Sequence, residues 1–291
     1  MAETTGPVRV ERHGPAVLVT LDHPPVNVLS ARVLDELARA LLEVERDPAA
    51  RVAILTSAAE KTFAAGADIS EMAPMGPKEA RVHGERGQSV TTLIEDLELP
   101  VIAAVHGSCL GGGCEIALAC DFVVASEDAY FGQPEIRLGV MPGWGGTWRL
   151  PHRIGTMRAR EWIMTARRIP AVEALAAGLV FRVVPRPELL SSALSLGEEL
   201  ARQPAQALAA AKRALNRASD PGRASGLHHE RALWAGLFGT PDQREGMRAF
   251  LEKRGPNFQP TRPSPSGPRS TTRSTEQPKP GGTTKRRRVS R

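Results

Sequence analysis

Apolar residues recur along the first part of the chain with two kinds of spacing, which predict different elements. Residues 8–10 and Ala16–Leu21 are β-prone runs on either side of His13-Gly14-Pro15, a sequence typical of a hairpin turn. From Ser30, which can cap a helix, to about Arg46 the apolar positions follow helical spacing. The sequence therefore predicts a hairpin followed by an amphipathic helix.

Short continuous apolar runs further along predict buried strands. These runs are residues 52–56, 101–105, 122–125 and 180–184. Helical stretches separate them, at about 82–97 and from near Gly113 to Ala119. Strands separated by helices imply crossover connections, so the pattern predicts an α/β fold in which helices cover a mainly parallel sheet.

The pattern changes after Pro185. Residues 187–253 are almost wholly helix-like, with breaks at Pro204, Pro221 and Pro241 that suit the first turns of successive helices. Beyond Pro256 the chain is rich in Pro, Ser, Thr, Gly and Arg, and it cannot bury enough apolar surface to offset its ordering entropy. We therefore divide the chain into a core of residues 1–185, a helical region of residues 186–258 and a disordered tail of residues 259–291.

Composition and charge narrow the class of protein. Apolar residues make up 41% of the 291 residues and charged residues 24%, as in an ordinary globular protein. No apolar run approaches the roughly 18 residues that span a bilayer. The first ten residues show neither a secretory nor a transit pattern, so we expect no membrane insertion and a cytoplasmic location.

The positive charge is concentrated in the tail. The whole chain carries +6, and residues 259–291 hold nine basic residues against one acid, which leaves the remainder at −2. The run from Lys285 to Arg288 is consistent with binding to nucleic acid or an anionic surface, or with a solubilising extension. No aromatic residue is interleaved for base stacking, which favours the solubilising extension. We expect no nucleic-acid partner for the rest of the chain.

The sequence offers no metal site. Cys109, Cys114 and Cys120 have no zinc-ligand spacing, and we predict buried free thiols. His106 lies in the turn before the glycines and, taken alone, is a candidate for a catalytic base. The pair at positions 228 and 229 lacks spaced partners for a metal.

Two loops place small residues directly after predicted strands. One runs from Phe63 to Asp68, and the other is Gly111-Gly112-Gly113, which leads into a helix. The first amide groups of a helix and its positive dipole end favour an anion. A glycine triplet alone is equally consistent with a tight turn or close helix packing.

Two glutamates add chemistry to these loops. Glu115 falls in the first turn of the predicted helix, where stabilisation of the helix dipole is the alternative role. Glu135 follows Pro134 in a predicted loop, where a surface charge without function is the alternative. Two carboxylates that share a site can hold different protonation states, as the addition of water to a double bond requires.

Three segments carry a family resemblance. They are FAAGADISEM (63–72), PVIAAVHGSCLGGGCEIALACDFVVASEDAYFGQPEIRLGVMPGWGGTWRL (100–150) and REGMRAFLEKRGPNF (244–258). Between about residues 8 and 258 the chain resembles the crotonase, or enoyl-CoA hydratase and isomerase, superfamily, and it is similar to the two-glutamate hydratases. The resemblance implies a spiral of ββα units rather than a single parallel sheet. It also implies homotrimers, usually paired into homohexamers, with the helical C-terminal region completing the trimer interface.

The resemblance also implies catalytic roles. The amides of Ala67 and Gly112 would form an oxyanion hole for a thioester carbonyl. Glu115 and Glu135 would position water, take its proton and supply a proton to the α-carbon, with Glu135 matching the residue assigned that last transfer. Isomerases of the family generally keep a carboxylate at only one of the two positions, so the pair favours hydration.

Coenzyme A binding is implied for a further set of positions. These are Lys61, Ala65, Ala67, Asp68, Ile69, Phe250 and Lys253, together with Gly143 beside the catalytic water. Solvated charge is the alternative for the two lysines. Ser70 departs from the family pattern because a lysine is typical there, and Trp144 replaces a small residue. Trp144 would either narrow the acyl pocket or pack in the core.

We therefore expect a 2-enoyl-CoA hydratase that adds water in the syn sense to give a 3-hydroxyacyl-CoA. No metal or redox cofactor is expected, and coenzyme A is part of the acyl-CoA substrate. The alternatives are enoyl-CoA isomerisation, or hydration of a branched or aromatic enoyl-CoA. The acyl chain and the pathway stay open, because dispersed residues around 70–95 and 140–165 line the pocket.

Overall fold

The structure is a computed structural model that describes residues 6–217, 231, 234–238 and 240–259. The strands are β1 (Val8–His13), β2 (Ala16–Leu21), β3 (Val28–Leu29), β4 (Val52–Ser57), β5 (Thr62–Ala64), β6 (Gly66–Ala67), β7 (Val101–Val105), β8 (Ser108–Leu110), β9 (Phe122–Ser126), β10 (Tyr130–Gly132), β11 (Ile169–Pro170) and β12 (Arg182–Val184). The helices are α1 (Ala31–Arg46), α2 (Ile69–Met72), α3 (Pro77–Asp96), α4 (Gly112–Ala119), α5 (Gly146–Ile154), α6 (Thr156–Thr165), α7 (Ala171–Ala177), α8 (Leu189–Ala201), α9 (Ala205–Arg217) and α10 (Pro241–Leu251). Short 3-10 helices lie at Glu135–Leu138 and Arg186–Glu188.

The predicted strands form one six-stranded sheet in the order β1-β2-β4-β7-β9-β12. β1 and β2 are the predicted antiparallel hairpin, and every later neighbour in the sheet is parallel. The first helix also begins as predicted, because the Ser30 hydroxyl caps it by accepting from the backbone N–H of Val33 at 3.3 Å. The predictions from apolar spacing are therefore confirmed for the hairpin, the first helix and the long strands.

A second sheet was not predicted from apolar spacing. Its order is β11-β10-β8-β5, and β5, β8 and β10 run parallel. The pairs β4–β5, β7–β8 and β9–β10 each give one strand to each sheet, and α3 and α4 follow the first two pairs. This is the spiral of ββα units that the family resemblance implied, and the expectation of a single parallel sheet was wrong. Strands of three residues are too short to show an alternation in the sequence.

Both faces of the large sheet are buried. One face packs on α8 through residues such as Leu189, Ala193 and Leu196, with Ile54 and Ile102 opposite them. The other face belongs to the larger core, which includes α1, α3, α4 and the second sheet. Burial on both faces explains why these strands read as continuous apolar runs.

The described part of the C-terminal region is helical and is tied to the core. The ammonium of Lys212 in α9 pairs with Asp121 at 2.7 Å and donates to the carbonyl of Ile94 at 2.9 Å. Gln259 donates to the Asp242 carboxylate at 2.8 Å, and its carbonyl accepts from Arg51 at 3.1 Å. The predicted break at Pro221, the histidine pair at 228 and 229 and the tail beyond Gln259 lie outside the described residues.

Within the described ranges, no helix has the length and apolar character needed to cross a membrane.

Candidate active site

The first of the two predicted loops lies between β5 and α2. The N–H of Ala65 donates to the carbonyl of Val26 at 3.1 Å, and β6 pairs with β3. Gly66 has φ +103, and a β-carbon there would lie 3.1 Å from the carbonyl oxygen of Leu110 and 3.5 Å from the nitrogen of Gly112. Only glycine suits this combination of positive φ and close approach. The loop that carries Ala67 is therefore held against the loop that carries Gly112.

The second loop turns from β8 into α4. Gly111 has φ +51 and donates its N–H to the carbonyl of Gly132 at 2.9 Å. A β-carbon on Gly111 would lie 3.2 Å from Oε1 of Glu135, so the glycine gives that carboxylate room. Gly112 is the first residue of α4, where a backbone N–H has no partner within its own helix. The predicted oxyanion amide thus lies beside Glu135.

Glu115 is 2% exposed and is held by backbone amides. Its Oε1 accepts from the N–H of Trp144 at 2.8 Å and from the N–H of Gly146 at 2.7 Å. Burial raises the pKa of Glu115, and these two hydrogen bonds and the charge of Arg149 oppose that rise. Both hydrogen bonds go to Oε1, and they favour the ionised form of the carboxylate.

Glu135 begins the 3-10 helix that follows β10 and Pro134. Burial raises its pKa to about 7, and the nearby charge of Glu115 adds to the rise. The side chain of Gln133 is 1% exposed. With its amide nitrogen turned towards the carboxylate, it donates to Oε1 and Oε2 of Glu135 at 2.9 and 3.2 Å. The structure therefore brings the two predicted glutamates together, and near neutral pH Glu135 can exchange a proton.

A clamp holds the segment that positions Glu115. The guanidinium of Arg149 binds the carboxylate of Glu95 through two hydrogen bonds of 2.7 and 2.6 Å and donates to the carbonyl of Trp144 at 2.9 Å. The hydroxyl of Thr91 donates to the same carbonyl, also at 2.9 Å. The amides that hold Glu115 are thus fixed by groups on α3 and α5.

The predicted coenzyme positions near the first loop stay together in the structure. The carboxylate of Asp68 caps α2, accepting from the N–H of Ser70 at 2.9 Å and from its hydroxyl at 2.6 Å. The hydrogen bond from the Ser70 hydroxyl lowers the pKa of Asp68. Ser70, where a lysine is typical of the family, thus helps to form the N-terminal cap of α2. Ile69 is 49% exposed at the same edge. Lys61 is exposed, and its carbonyl accepts from the N–H of Ser108 at 3.1 Å.

The remaining coenzyme positions divide between two places. The carbonyl of Gly143 accepts from the side chain of Gln88 at 2.9 Å, beside the amide of Trp144 that holds Glu115. Phe250 belongs to α10, and Lys253 follows that helix as an exposed residue with φ +54. The segment after α10 is bonded to Arg51, at the start of β4, whereas the first loop lies beyond its other end. The segment after α10 is therefore tied to the end of β4 opposite the one that leads towards the first loop.

The other candidate groups have structural partners. Nε2 of His106 lies 2.7 Å from the carbonyl oxygen of Ala59, a contact consistent with the structural role that the family resemblance implies for this position. Cys109, Cys114 and Cys120 are buried free thiols, as predicted. Over the described residues, no group of three or more His, Cys, Asp or Glu side chains is arranged to hold a metal ion.

Sequence reasoning missed the residues that set the glutamates in place. Gln133 supports Glu135, and Gly146 supports Glu115. A β-carbon on Gly146 would lie 3.0 Å from Oε1 of Glu115 and 2.9 Å from the amide of Gln133. The signal for Gln133 was its place directly before Pro134 and Glu135. Gly146 had no comparable signal, because a glycine after a glycine predicts only a turn.

Known proteins match this chain along most of its length. A sequence model of the family described as enoyl-CoA hydratase/isomerase matches residues 11–261. The short-chain-enoyl-CoA hydratase of Clostridium acetobutylicum is 43% identical over 248 residues, which are 85% of this chain and 95% of the relative. The crotonyl-CoA hydratase of Syntrophomonas wolfei is 42% identical over 243 residues, 84% of this chain and 94% of that protein.

A solved structure of another enoyl-CoA hydratase matches the fold. The crystal structure of an enoyl-CoA hydratase from Bacillus anthracis superposes with a TM-score of 0.83 and 39% identity, covering 88% of this chain and all of the other. This agreement supports the crotonase fold of the chain. The chain therefore belongs to the enoyl-CoA hydratase/isomerase family and has the crotonase fold.

Proposed function

We propose that this protein is an enoyl-CoA hydratase, which adds water reversibly to a 2-enoyl-CoA to give a 3-hydroxyacyl-CoA. The observation that carries the proposal is the pairing of Glu115 and Glu135 beside two glycine-lined backbone loops. The names of the relatives support the same reaction, because both curated hydratases align over almost their whole length.

The two loops would bind the thioester. In the proposed complex the carbonyl oxygen of the substrate accepts from the N–H groups of Ala67 and Gly112. When water attacks the β-carbon, negative charge develops on this oxygen as an enolate forms. Two fixed amides stabilise that charge without reorganisation, and one such donor is worth about 3 to 4 kcal/mol.

The two carboxyl groups would divide the proton transfers. Ionised Glu115 takes one proton from the water as its oxygen bonds to the β-carbon, and protonated Glu135 gives a proton to the α-carbon. The π bond is lost, and one C–O and one C–H bond form. Addition of both groups from the glutamate side gives the syn product. The backbone bonds to Glu115 favour its ionised form, while burial and the neighbouring charge keep a proton on Glu135.

The active pair therefore holds one proton in both directions of the reaction. Hydration starts with that proton on Glu135 and ends with a proton on Glu115, and dehydration runs the other way. Every step is a proton transfer or the addition of water, so the proposed reaction needs no cofactor besides the coenzyme A carried by the substrate.

Coenzyme A would lie along the edge formed by the first loop. Backbone and side-chain groups of Ala65, Asp68 and Ile69 contact the nucleotide in this proposal, and Lys61 contacts its phosphate. The segment after α10 is tied to Arg51 at the opposite end of β4, and we propose that Phe250 and Lys253 reach the coenzyme of a neighbouring subunit. This arrangement fits the homotrimer or homohexamer expected from the sequence, and we retain the prediction of a cytoplasmic location.

A panel of thioesters tests the proposed reaction. Purified protein is mixed with crotonyl-CoA, a branched and an aromatic 2-enoyl-CoA, and a 3-enoyl-CoA, and the absorbance of the conjugated thioester is followed. We expect loss of absorbance with crotonyl-CoA, whereas loss with the branched or aromatic substrate alone would favour that alternative substrate class. A gain of absorbance with the 3-enoyl substrate, without hydration of any 2-enoyl substrate, would replace hydration by isomerisation.

A further inference from the structure

The indole ring of Trp144 is wedged between α3 and α4. The residue is 3% exposed. A β-carbon on Gly87 of α3 would lie 2.3 Å from ring atoms, and one on Gly112 of α4 would lie 2.2 Å from the ring carbon Cζ3. The ring therefore rests on two glycines and fills the space between the helices.

This space adjoins the reaction centre. Gly112 carries a proposed oxyanion amide, and the N–H of Trp144 donates to Glu115 at 2.8 Å. A substrate with its carbonyl at Gly112 and its β-carbon at Glu115 would carry the rest of its acyl chain next to the indole.

The backbone around the ring is held from several sides. The carbonyl of Trp144 accepts from Thr91 and from Arg149, each at 2.9 Å. The carbonyl of Gly143 accepts from Gln88 at 2.9 Å. These bonds connect the segment to α3 and α5, so the ring cannot leave its position without breaking contacts on two helices.

His83 of α3 lies beside the indole. The rings of His83 and Trp144 lie 5.6 Å apart, and Nε2 of His83 is buried without a hydrogen-bond partner among the described residues. His83 also lines a cavity of about 310 Å³, whose lining surface is mainly apolar and includes Ala31, Met75 and Val82. Trp144 does not line this cavity, so closure of the acyl pocket depends on the ring that fills the space between α3 and α4.

We propose that Trp144 closes the acyl pocket and restricts the protein to short acyl chains such as crotonyl. The inference rests on the proposed function, because the direction of the acyl chain follows from the thioester position. It adds a residue that sets specificity and a substrate class, neither of which the catalytic groups determine.

Graded substitutions test the assignment. Trp144→Phe, Trp144→Leu and Trp144→Ala are compared with wild type for kcat/KM on crotonyl-CoA and on 2-octenoyl-CoA. We expect the octenoyl-to-crotonyl ratio to rise in that order and by about tenfold or more for Trp144→Leu. An unchanged ratio in Trp144→Phe and Trp144→Leu, with near-UV circular dichroism showing intact folding, overturns the inference.

Two further variants separate the pocket from general damage. Trp148→Ala removes an indole that is 45% exposed four residues away, and it should leave the ratio at the wild-type value. Gly87→Leu in the Trp144→Ala background refills the same space from α3, and it should return the ratio towards wild type. A rise in the Trp148 control equal to that of Trp144→Leu contradicts the assignment.

Binding gives a readout that does not depend on turnover. Calorimetry with butanoyl-, octanoyl- and dodecanoyl-CoA should show affinity that falls with chain length in wild type and rises in Trp144→Leu. If wild type binds this series but hydrates no enoyl-CoA, the proposed function fails while the inference stands. The same chain-length dependence in both proteins overturns the inference.

Discussion

The buried carboxylate of Glu115 accepts a hydrogen bond from the backbone N–H of Gly146 at 2.7 Å. The two residues belong to the first turns of α4 and α5, so the N-terminal ends of two helices converge on one carboxylate. Both helix ends favour the ionised form of Glu115. The hydrogen bond from Gly146 thereby opposes the rise in the pKa of Glu115 that burial causes.

Gly146→Ala tests this arrangement. The added methyl group would lie 3.0 Å from Oε1 of Glu115 and 2.9 Å from the amide of Gln133. We expect kcat for crotonyl-CoA to fall at least tenfold, with a smaller change in KM, because a misplacement of about 1 Å costs up to a hundredfold in rate. Steady-state kinetics measure the changes in kcat and in KM separately. Gly84→Ala on α3 is the matched control, since its β-carbon meets no atom closer than 4.0 Å, and equal losses in both variants would refute the geometric account.

The pH profile should be bell-shaped and identical in the two directions. The active pair holds one proton, and hydration and dehydration start from two arrangements of that same protonation state. Since the pKa of Glu135 is about 7, kcat/KM should fall above about pH 7 as the shared proton is lost. Rates with crotonyl-CoA and with 3-hydroxybutanoyl-CoA between pH 5 and 9, a range chosen to bracket this pKa, provide the measurement. A kcat/KM that stays constant from about pH 7 to pH 9 would contradict the assignment of this proton to Glu135.

Glu135→Gln should stabilise the protein at high pH while it impairs catalysis. The folded-state pKa of about 7 exceeds the ordinary value of 4.5, so between these values the folded protein binds more protons than the unfolded chain. The free energy of unfolding of wild type therefore falls as pH rises through this window. Glutamine does not titrate, so the Tm of the variant should exceed that of wild type at pH 8, and the excess should shrink towards pH 4. Thermal unfolding across this range measures it, and an excess independent of pH would count against the raised pKa.

Arg149→Leu tests the clamp. The side chains of Arg149 and Glu95 are 8% and 22% exposed, and the substitution leaves the carboxylate without this partner. We expect a loss of about 3 to 5 kcal/mol in the free energy of unfolding, measured by urea titration. Arg149→Leu/Glu95→Leu should recover part of that stability but not kcat, because the carbonyl of Trp144 still loses its guanidinium donor. Full recovery of kcat in the double variant would show that the clamp does not position Glu115.

The sequence predicted the elements whose apolar pattern extends over five or more residues. Ser30 and the helical spacing after it predicted α1 correctly, and Val101–Val105 was predicted to the residue. Burial on both faces of the large sheet produced runs that were long enough to recognise. The second sheet was missed because β5, β8 and β10 have three residues each, and its existence followed only from the family resemblance.

The candidate site was predictable where side chains carry the chemistry. Glu115 was a candidate because it follows the glycine triplet, and the pairing of Glu135 with it came from the family resemblance. Gln133 lies two residues before Glu135, a signal that was overlooked. Gly146 could not be named, because its contact with Glu115 joins two helices that are distant in the sequence. Every residue except proline has a backbone N–H, so the sequence alone could not identify the amides that donate to Glu115.

The most direct test of the account compares Glu115→Gln and Glu135→Gln in crotonyl-CoA hydration. Glu127→Gln is the matched control, since Glu127 is an exposed glutamate in the turn between β9 and β10. We predict that each site variant loses about 10² to 10⁴ in kcat, the usual contribution of a positioned acid or base, while the control keeps wild-type activity. Undiminished turnover in either site variant, with folding intact, would contradict the two-glutamate mechanism.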